Sequence, residues 1–169
     1  MRHSYRPAAA TTAVTFSWDE TCLYAHAICR QPMADVRAEA RGRDDAAIWH
    51  DDNIQFLIDA NHDRRTYYRI AVNPAAACAD GSGFNDRDTA DRLVHQGLLP
   101  YFRDFNLAWD SSCRVETARQ ADAWTVTLAL PWTSLDVEAA PPVGTTMGLQ
   151  VTRRHAATGE RSEWMTTGR

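Results

Sequence analysis

The chain has 169 residues, of which 44% are hydrophobic and 24% charged, values typical of one globular domain with its own core. Its formal net charge of -4 gives no electrostatic reason to expect a nucleic acid or an anionic membrane surface as a partner. All 18 basic residues are arginine, so no lysine is present for a Schiff base or a phosphate-binding Gly-Lys motif.

The N-terminal part of the chain predicts two β-strands and a connecting segment. Residues 1–12 carry no periodic pattern and are predicted to be an N-terminal extension to a single domain over residues 13–169. Apolar and small polar side chains alternate over residues 14–18, and a second strand is predicted over residues 23–29. The charged, alanine-rich residues 31–47 predict a solvated loop, with one helical turn as the alternative.

A β-hairpin is predicted in the middle of the chain. Every second side chain of residues 53–59 is isoleucine or phenylalanine, and after the polar turn at residues 60–65 the alternation resumes over residues 67–73. The opposite parity carries Gln55 on the first strand and Arg69 on the second. This surface of the hairpin is suited to a polar ligand.

The remaining sequence completes an all-β pattern. Residues 74–91 lack periodicity and predict a long connection, with one short helix in the region 84–100. Further strands are predicted at residues 106–109, 114–118, 124–130 and 147–151. About eight or nine short strands separated by turns predict an antiparallel β-sandwich. The side chains predicted to face its core are Ile54, Phe56, Ile58, Ile70, Val72, Val126, Leu128, Leu149 and Val151.

Three long polar side chains and one tryptophan are candidate ligand contacts. Gln55, Arg69 and Gln150 come from three strands, each on the parity opposite the apolar set, and their neighbours on that parity are small. Small residues beside long polar ones leave a concavity with convergent hydrogen-bonding groups. The alternative is that all three are ordinary solvated side chains. Trp49 precedes the hairpin, where it is either a core residue or a platform for the apolar face of a ligand.

The sequence contains no catalytic motif and no recognisable zinc-binding cysteines. The four cysteines are Cys22, Cys29, Cys78 and Cys113. Without C-x-x-C spacing they are predicted to be buried thiols, with a bridge between Cys78 and Cys113 in an oxidising compartment as the alternative. Asp51 and Asp52 are adjacent, so they point to different sides of an extended chain and do not form a facing acid and base. The chain is therefore predicted not to be an enzyme.

Five fragments, in order along the chain, resemble one protein family. Residues 49–59, WHDDNIQFLID, followed by YRIAVN at residues 68–73, are similar to the centre of the carbohydrate-binding modules of family 9 and their DOMON-like relatives. The other similar fragments are WDETCLY at 18–24, WTVTLALP at 124–131, MGLQV at 147–151 and SEW at 162–164. The resemblance implies an antiparallel β-sandwich that binds a mono- or oligosaccharide and is itself non-catalytic, in some cases attached to a carbohydrate-active enzyme.

The resemblance also implies roles for the candidate residues. Trp49 is expected to stack on a sugar ring, and Gln55, Arg69 and Gln150 to contact its hydroxyls, the first of these positions normally being glutamate. Trp164 is the candidate for a second stacking aromatic, because the family's own one lies beyond the SEW position. The family's last strand is missing, which predicts a sheet edge that is unpaired, covered by residues 1–12, or completed by a second copy of the chain.

Further expectations concern metal, location and partners. The family implies a structural calcium ion, with no cofactor required, and the oxygen-rich cluster of candidate ligands is Asp51, Asp52, Asp59 and Asp63. No signal peptide is recognisable, yet the family suggests an extracellular or periplasmic protein. The expected partner is a carbohydrate, with neither nucleic acid nor membrane.

Two alternatives to sugar binding stay open. One is a structural or interaction sandwich without a ligand. The other is a haem b electron-transfer domain of the same superfamily, which needs an axial methionine and histidine. The available pairs are Met33 or Met147 with His26 or His155.

Overall fold

The structure, a computed structural model, describes residues 7–84 and 105–164. Within these ranges the β-strands are Thr12–Trp18 (β1), Cys22–Arg30 (β2), Asn53–Asp59 (β3), Thr66–Val72 (β4), Cys78–Phe84 (β5), Phe105–Asn106 (β6), Arg114–Arg119 (β7), Ala123–Pro131 (β8), Gly148–His155 (β9) and Glu160–Glu163 (β10). Short 3-10 helices are found at Met33–Asp35, Ala46–Trp49 and Trp132–Leu135. No helix of the described ranges is both long enough and apolar enough to cross a membrane.

The strands form two antiparallel sheets. The smaller sheet has the order β1-β2-β8-β7, and the larger has the order β10-β9-β3-β4-β5-β6. In the larger sheet β3 pairs with β4 on one side and with β9 on the other. The predicted all-β, antiparallel β-sandwich is confirmed.

The core lies between the sheets and is built from alternate side chains of their strands. Ile54, Phe56 and Ile58 of β3 are at most 2% exposed, and Trp124 of β8 is fully buried. Branched and aromatic side chains pack well on a pleated surface, which favours these segments as strands. All nine predicted core residues lie in this cluster, with Leu149 only partly buried. The predicted strand registers are therefore correct, because a slip of one residue would have placed these side chains outside.

Residues 31–47 differ from the predicted solvated loop. Ala40 is fully buried, and it packs with Ile48, Ala71, Ala77 and Ala79 in a second, smaller apolar cluster on the outer side of the larger sheet. The loop is also tied to β5, because the amide of Cys78 donates to the carbonyl of Gly42 and the amide of Asp44 donates to the carbonyl of Cys78. The segment is therefore anchored at Ala40, while other alanines in it, such as Ala34 and Ala46, are exposed.

Other predicted elements are confirmed to different extents. The short helix expected in the region 84–100 lies outside the described residues. The strand expected at residues 106–109 is reduced to Phe105–Asn106, followed by a turn. At the free edge of the larger sheet, the Glu160 carboxylate of β10 accepts hydrogen bonds from the amides of Ala9 and Ala10, 2.8 and 3.1 Å long. Completion of an edge by a second copy stays a prediction.

Candidate ligand-binding site

Trp49 is placed by a short helix that leads into β3. The 3-10 helix Ala46–Trp49 is capped by Asp45, whose side chain accepts from the amide of Ala47. Ile48 is buried in the second apolar cluster, and Trp49 packs against that cluster while remaining partly exposed. The ring therefore lies on the outer face of the larger sheet.

Two buried aspartates hold this platform in place. The Asp51 carboxylate accepts from the amides of Glu39 and Ala40 and from the side-chain amide of Asn73, each at 2.9 Å. Asp52 accepts from the amide of Arg37 at 2.7 Å and from the amide of Ala156 at 3.0 Å. Both aspartates are fully buried, so these hydrogen bonds compensate the cost of removing the carboxylates from water.

A chain of polar side chains connects the platform to the sheet face. The side-chain amide of Asn53 donates to the carbonyl of Ile48 at 2.8 Å, and Gln55 donates to the Asn53 side-chain oxygen at 2.8 Å. The Gln55 oxygen in turn accepts from Arg69, from Nε at 3.0 Å and from Nη2 at 2.6 Å. The Arg69 guanidinium carbon lies 4.4 Å from the centre of the Trp49 ring. Gln55 and Arg69 thus share one sheet face, as their strand parity predicts, and Trp49 lies beside them.

Two neighbouring depressions lie on this outer face. The first, of about 400 Å³, is lined by Trp49, Gln55, Arg69, Thr152, Arg153, Arg154, Arg161 and Glu163. The second, of about 370 Å³, is lined by Leu57, Asp59, Arg64, Arg65, Thr66, Tyr67, Gly148, Leu149 and Gln150. Small residues stand beside the long polar ones in the strand register: Ala71 and Thr152 flank Gln55, and Gly81 lies opposite Arg69.

Gln150 lies on the predicted face but not in the same depression as the other candidates. In the pairing register Leu57 separates it from Arg69, since Leu57 is opposite Arg69 on β4 and opposite Gln150 on β9. The predicted trio of polar residues is therefore divided between two adjoining depressions.

Trp164 lies away from this face. Arg161 and Glu163 of β10 point to the outer face, so the next residue along the alternating chain points inward. The Trp164 ring is stacked on Phe16 of the smaller sheet, with ring centres 6.1 Å apart and an interplanar angle of 12°. It lies at the sandwich edge and does not face Trp49 as a second platform.

A family model described as carbohydrate family 9 binding domain-like matches residues 2–168 of this chain. The chain belongs to this family. Among curated proteins, no sequence matches it.

Solved structures with the same fold support the family assignment. A family 9 carbohydrate-binding module from Caldicellulosiruptor kristjanssonii, solved in complex with cellotriose, superposes with a TM-score of 0.59 at 15% identity, over 94% of this chain and 65% of that one. The glucose complex of such a module from the same organism gives a TM-score of 0.59 at 15% identity, over 94% of this chain and 66% of that one. A putative carbohydrate-binding protein from Bacteroides uniformis ATCC 8492 gives 0.67 at 16% identity, over 92% and 69%. At these identities the likeness establishes the fold, and this chain spans about two thirds of each of those chains.

The four aspartates predicted as calcium ligands in this family 9 domain do not form one cluster. Asp51 and Asp52 precede β3, whereas Asp59 ends it, and about 3.3 Å per residue of strand places the pairs at opposite ends. Asp59 accepts from the amides of Asp63 and Arg64, and Asp63 accepts from the amides of Arg65 and Thr66. Each pair therefore organises a turn or a loop. Calcium binding by either pair stays a prediction.

A different group of metal-binding side-chain types is close together. Ligand atoms of Cys78, Asp80 and Cys113 all lie within 4.8 Å of one another, and the two thiol sulfurs are 3.6 Å apart. Arg43 forms a very short ion pair with Asp80, so the carboxylate is already neutralised. The shared hydrogen bond and burial raise the pKa of the Cys78 thiol, and the same hydrogen bond lowers the pKa of Cys113. All four cysteines are free, and Cys22, Cys29 and Cys78 are buried as predicted.

Two of the candidate axial ligands of a haem, Met147 and His155, lie at opposite ends of one strand. Met147 immediately precedes β9 and His155 ends it, which separates them by about 25 Å at about 3.3 Å per residue. His26 is exposed on the outer face of the smaller sheet, where its ring contacts the hydroxyl of Thr127 at 3.1 Å. The haem alternative gains no support from these positions.

Proposed function

We propose that this chain is a non-catalytic carbohydrate-binding module whose ligand lies on the outer face of the larger sheet, over Trp49. The observation that carries the proposal is the convergence of Trp49, Gln55 and Arg69 in one depression on a rigid, fully paired part of the sheet. Membership of the family and the sugar complexes of similar folds support the same function. Mono- and oligosaccharides are the proposed ligand class.

The chemistry of the site suits a sugar. A pyranose ring presents C–H groups that stack on an aromatic ring, and its hydroxyls need paired donors and acceptors. The Arg69 guanidinium covers part of the Trp49 ring, so a bound sugar contacts the exposed remainder of the ring and meets Arg69 at its edge. Its hydroxyls then accept from the guanidinium and from the second N–H of the Gln55 amide.

The order of the polar side chains favours a preorganised site. Asn53 fixes the Gln55 amide, and Gln55 fixes Arg69, so the guanidinium is held before a ligand arrives. Preorganised contacts reduce the conformational entropy lost on binding. This arrangement also explains how glutamine serves where related modules normally have glutamate, because its oxygen accepts from Arg69 while its NH2 group donates to Asn53.

Calorimetric titration of the wild type and of Trp49→Ala tests the proposal. The ligands are glucose, cello- and xylo-oligosaccharides, and the same oligosaccharides with the reducing end reduced. We expect binding by the wild type and a loss of about 1 to 3 kcal/mol of binding free energy in Trp49→Ala, the range of one stacking contact. Loss of binding on reduction of the terminal sugar identifies recognition of a chain end, as the family resemblance implies.

The matched control is Trp18→Ala. Trp18 is also largely exposed, at 60%, but it ends β1 of the smaller sheet and lines a separate apolar cavity. This variant should bind as the wild type does. Equal losses in both variants, or binding unaffected by Trp49→Ala, would remove the basis for the proposed site.

A further inference from the structure

The two depressions on the outer face of the larger sheet are unusually rich in arginine. The residues lining them include the arginines 64, 65, 69, 153, 154 and 161, against two acidic residues, Asp59 and Glu163. The Arg153 guanidinium is turned into the sandwich, where it donates to the carbonyls of Ala10 and Thr11. The other five arginines make this face positive, although the whole chain has a formal net charge of -4.

Two of these arginines lie directly opposite each other. Arg154 of β9 and Arg161 of β10 are cross-strand partners, and both side chains line the first depression. Like charges at directly opposed positions of a sheet destabilise it. The ion pairs of the described residues involve other arginines, and the Arg154 Nε is buried without a hydrogen-bond partner there. An anion bound between the two guanidinium groups would relieve the repulsion.

The network of Asn53, Gln55 and Arg69 contributes no carboxylate to the surroundings of Arg154 and Arg161. Gln55 is neutral, accepts from Arg69 and donates to Asn53, so it adds no negative charge to the depression. Glu163 lies opposite Thr152, one position further along the sheet face from the Arg154–Arg161 pair, and it is exposed. The first depression therefore offers guanidinium donors, an amide and an aromatic ring, with the exposed Glu163 as its single carboxylate.

We infer that the ligand of this site is an acidic saccharide that carries a ring carboxylate, as in a uronic acid. The inference rests on the proposed sugar-binding function and specifies its substrate class. The sugar ring contacts Trp49 and Arg69, and its carboxylate accepts from Arg154 and Arg161. Guanidinium groups are planar forks that match a carboxylate with two parallel hydrogen bonds, and such charge-assisted bonds are about twice as strong as neutral ones.

The test compares each acid with its neutral counterpart on the same protein. Glucuronate is titrated against glucose, and oligogalacturonate against a neutral galactose oligosaccharide, at low and at physiological ionic strength. We expect the acids to bind at least about ten-fold more tightly at low salt, with a preference that shrinks as salt is raised, since partly exposed ion pairs are screened. Neutral sugars should show little salt dependence.

Arg154→Gln and Arg161→Gln should each remove most of the preference for the acid over its neutral counterpart. Their melting temperatures should stay the same or rise, because each variant removes one member of a repelling pair. Arg119→Gln is the matched control, since Arg119 is an exposed arginine on β7 of the smaller sheet. It should change neither affinity nor preference.

The outcomes separate this inference from the proposed function. If neutral sugars bind through Trp49 as tightly as the acids do, or if Arg119→Gln lowers the acid preference as much as Arg154→Gln does, the acidic ligand is wrong while the sugar-binding module stands. If neither acidic nor neutral saccharides bind, the proposed function itself fails, and the inference fails with it.

Discussion

The outer faces of the two sheets follow the same alternation rule but differ in the sizes of neighbouring side chains. On the smaller sheet one cross-strand row consists of Thr15, His26, Thr127 and Glu116, all exposed and of moderate length. On the larger sheet the equivalent row places Arg69 opposite Gly81. Long polar side chains next to glycine or alanine create relief, whereas side chains of similar length standing side by side give an even, solvated surface.

The larger sheet also carries the loop of residues 31–52 on its outer side. Small residues of this sheet, including Ala71 and Ala79, allow Ile48 of the loop to pack against the strands, and this packing positions Trp49. The smaller sheet has the more ordinary role of covering the core. In this sandwich, small residues on neighbouring strands distinguish a candidate ligand face better than polarity does.

The largest expected effect is on the anchor of the loop. Asp51→Ala should lower the free energy of unfolding by about 3 to 5 kcal/mol, because it removes the acceptor of the buried Ala40 amide, of the partly buried Glu39 amide and of the Asn73 side chain. Chemical denaturation measures this loss. Such a loss would show that the candidate ligand face of the larger sheet, unlike the solvated face of the smaller sheet, depends on buried polar contacts.

Asp122→Ala is the control from the smaller sheet. Asp122 pairs with Arg30, but both side chains are more than half exposed, at 72% and 59%. Exposed ion pairs contribute little, so a change within about 0.5 kcal/mol is expected. Similar losses in both variants would contradict the proposed difference between the faces.

The second prediction concerns the contact between the two sheets at Cys78 and Cys113. Cys78 begins β5 of the larger sheet, and Cys113 immediately precedes β7 of the smaller one. Glutathione disulfide should oxidise the two thiols to a disulfide. It takes up the two electrons and two protons that the thiols lose and becomes two molecules of reduced glutathione. Closing this loop should raise the free energy of unfolding by about 2 to 4 kcal/mol, the usual range for such a crosslink.

Intact-mass measurement and denaturation with and without reductant test this crosslink. Cys113→Ser should abolish both the mass change and the reductant sensitivity, while Cys22→Ser should leave both intact, because Cys22 begins β2 and is not part of this thiol pair. A wild-type protein whose stability is the same in oxidised and reduced glutathione would contradict the prediction.

The sequence pattern predicted the two-layer fold because alternation is a local property. Ile54, Phe56 and Ile58 could be assigned to one side of a strand from their spacing alone, and Gln55 and Arg69 then had to share the other side. The packing of the loop could not be predicted in this way. It depends on Asp51, whose partners Ala40 and Asn73 are 11 and 22 residues away in the sequence.

Two features of the site were also missed for physical reasons. The segment Glu160–Glu163 has no apolar alternation, and it is a strand only because it pairs with β9, so the opposed arginines were not foreseen. Asn53 was not singled out, although it lies two residues before Gln55 on the same parity, which is a signal that could have identified it. Trp164 was predicted as the second stacking aromatic from the order of the motifs alone. The direction of its side chain is set by β10, the strand that precedes it.

The smallest expected effect is on the aspartates of two hairpin turns, one in each sheet, and on the stability that they contribute at low pH. In the β3–β4 turn, the amides of Thr66 and Arg65 donate to Asp63 and lower its pKa from the usual 3.8 to about 2. A carboxyl whose pKa is depressed by folding stabilises the protein above its unfolded pKa, and this contribution is lost as the pH falls from about 4 through about 2. Asp63→Asn keeps the acceptor oxygen but removes the charge, so the wild type should exceed this variant in stability near neutral pH and lose that advantage in this acid window.

In the β1–β2 turn the Tyr24 hydroxyl is the main cause of the lowered pKa of Asp19, so Tyr24→Phe should raise the pKa of Asp19 and leave that of Asp63 unchanged. Side-chain carboxyl NMR titration of the wild type and of Tyr24→Phe measures these values directly, and denaturation of the wild type and Asp63→Asn across the same pH range measures the difference in stability. An Asp63 pKa near 3.8, or a shift at Asp63 in Tyr24→Phe, would mean that the larger sheet's turn is not held by its own backbone amides.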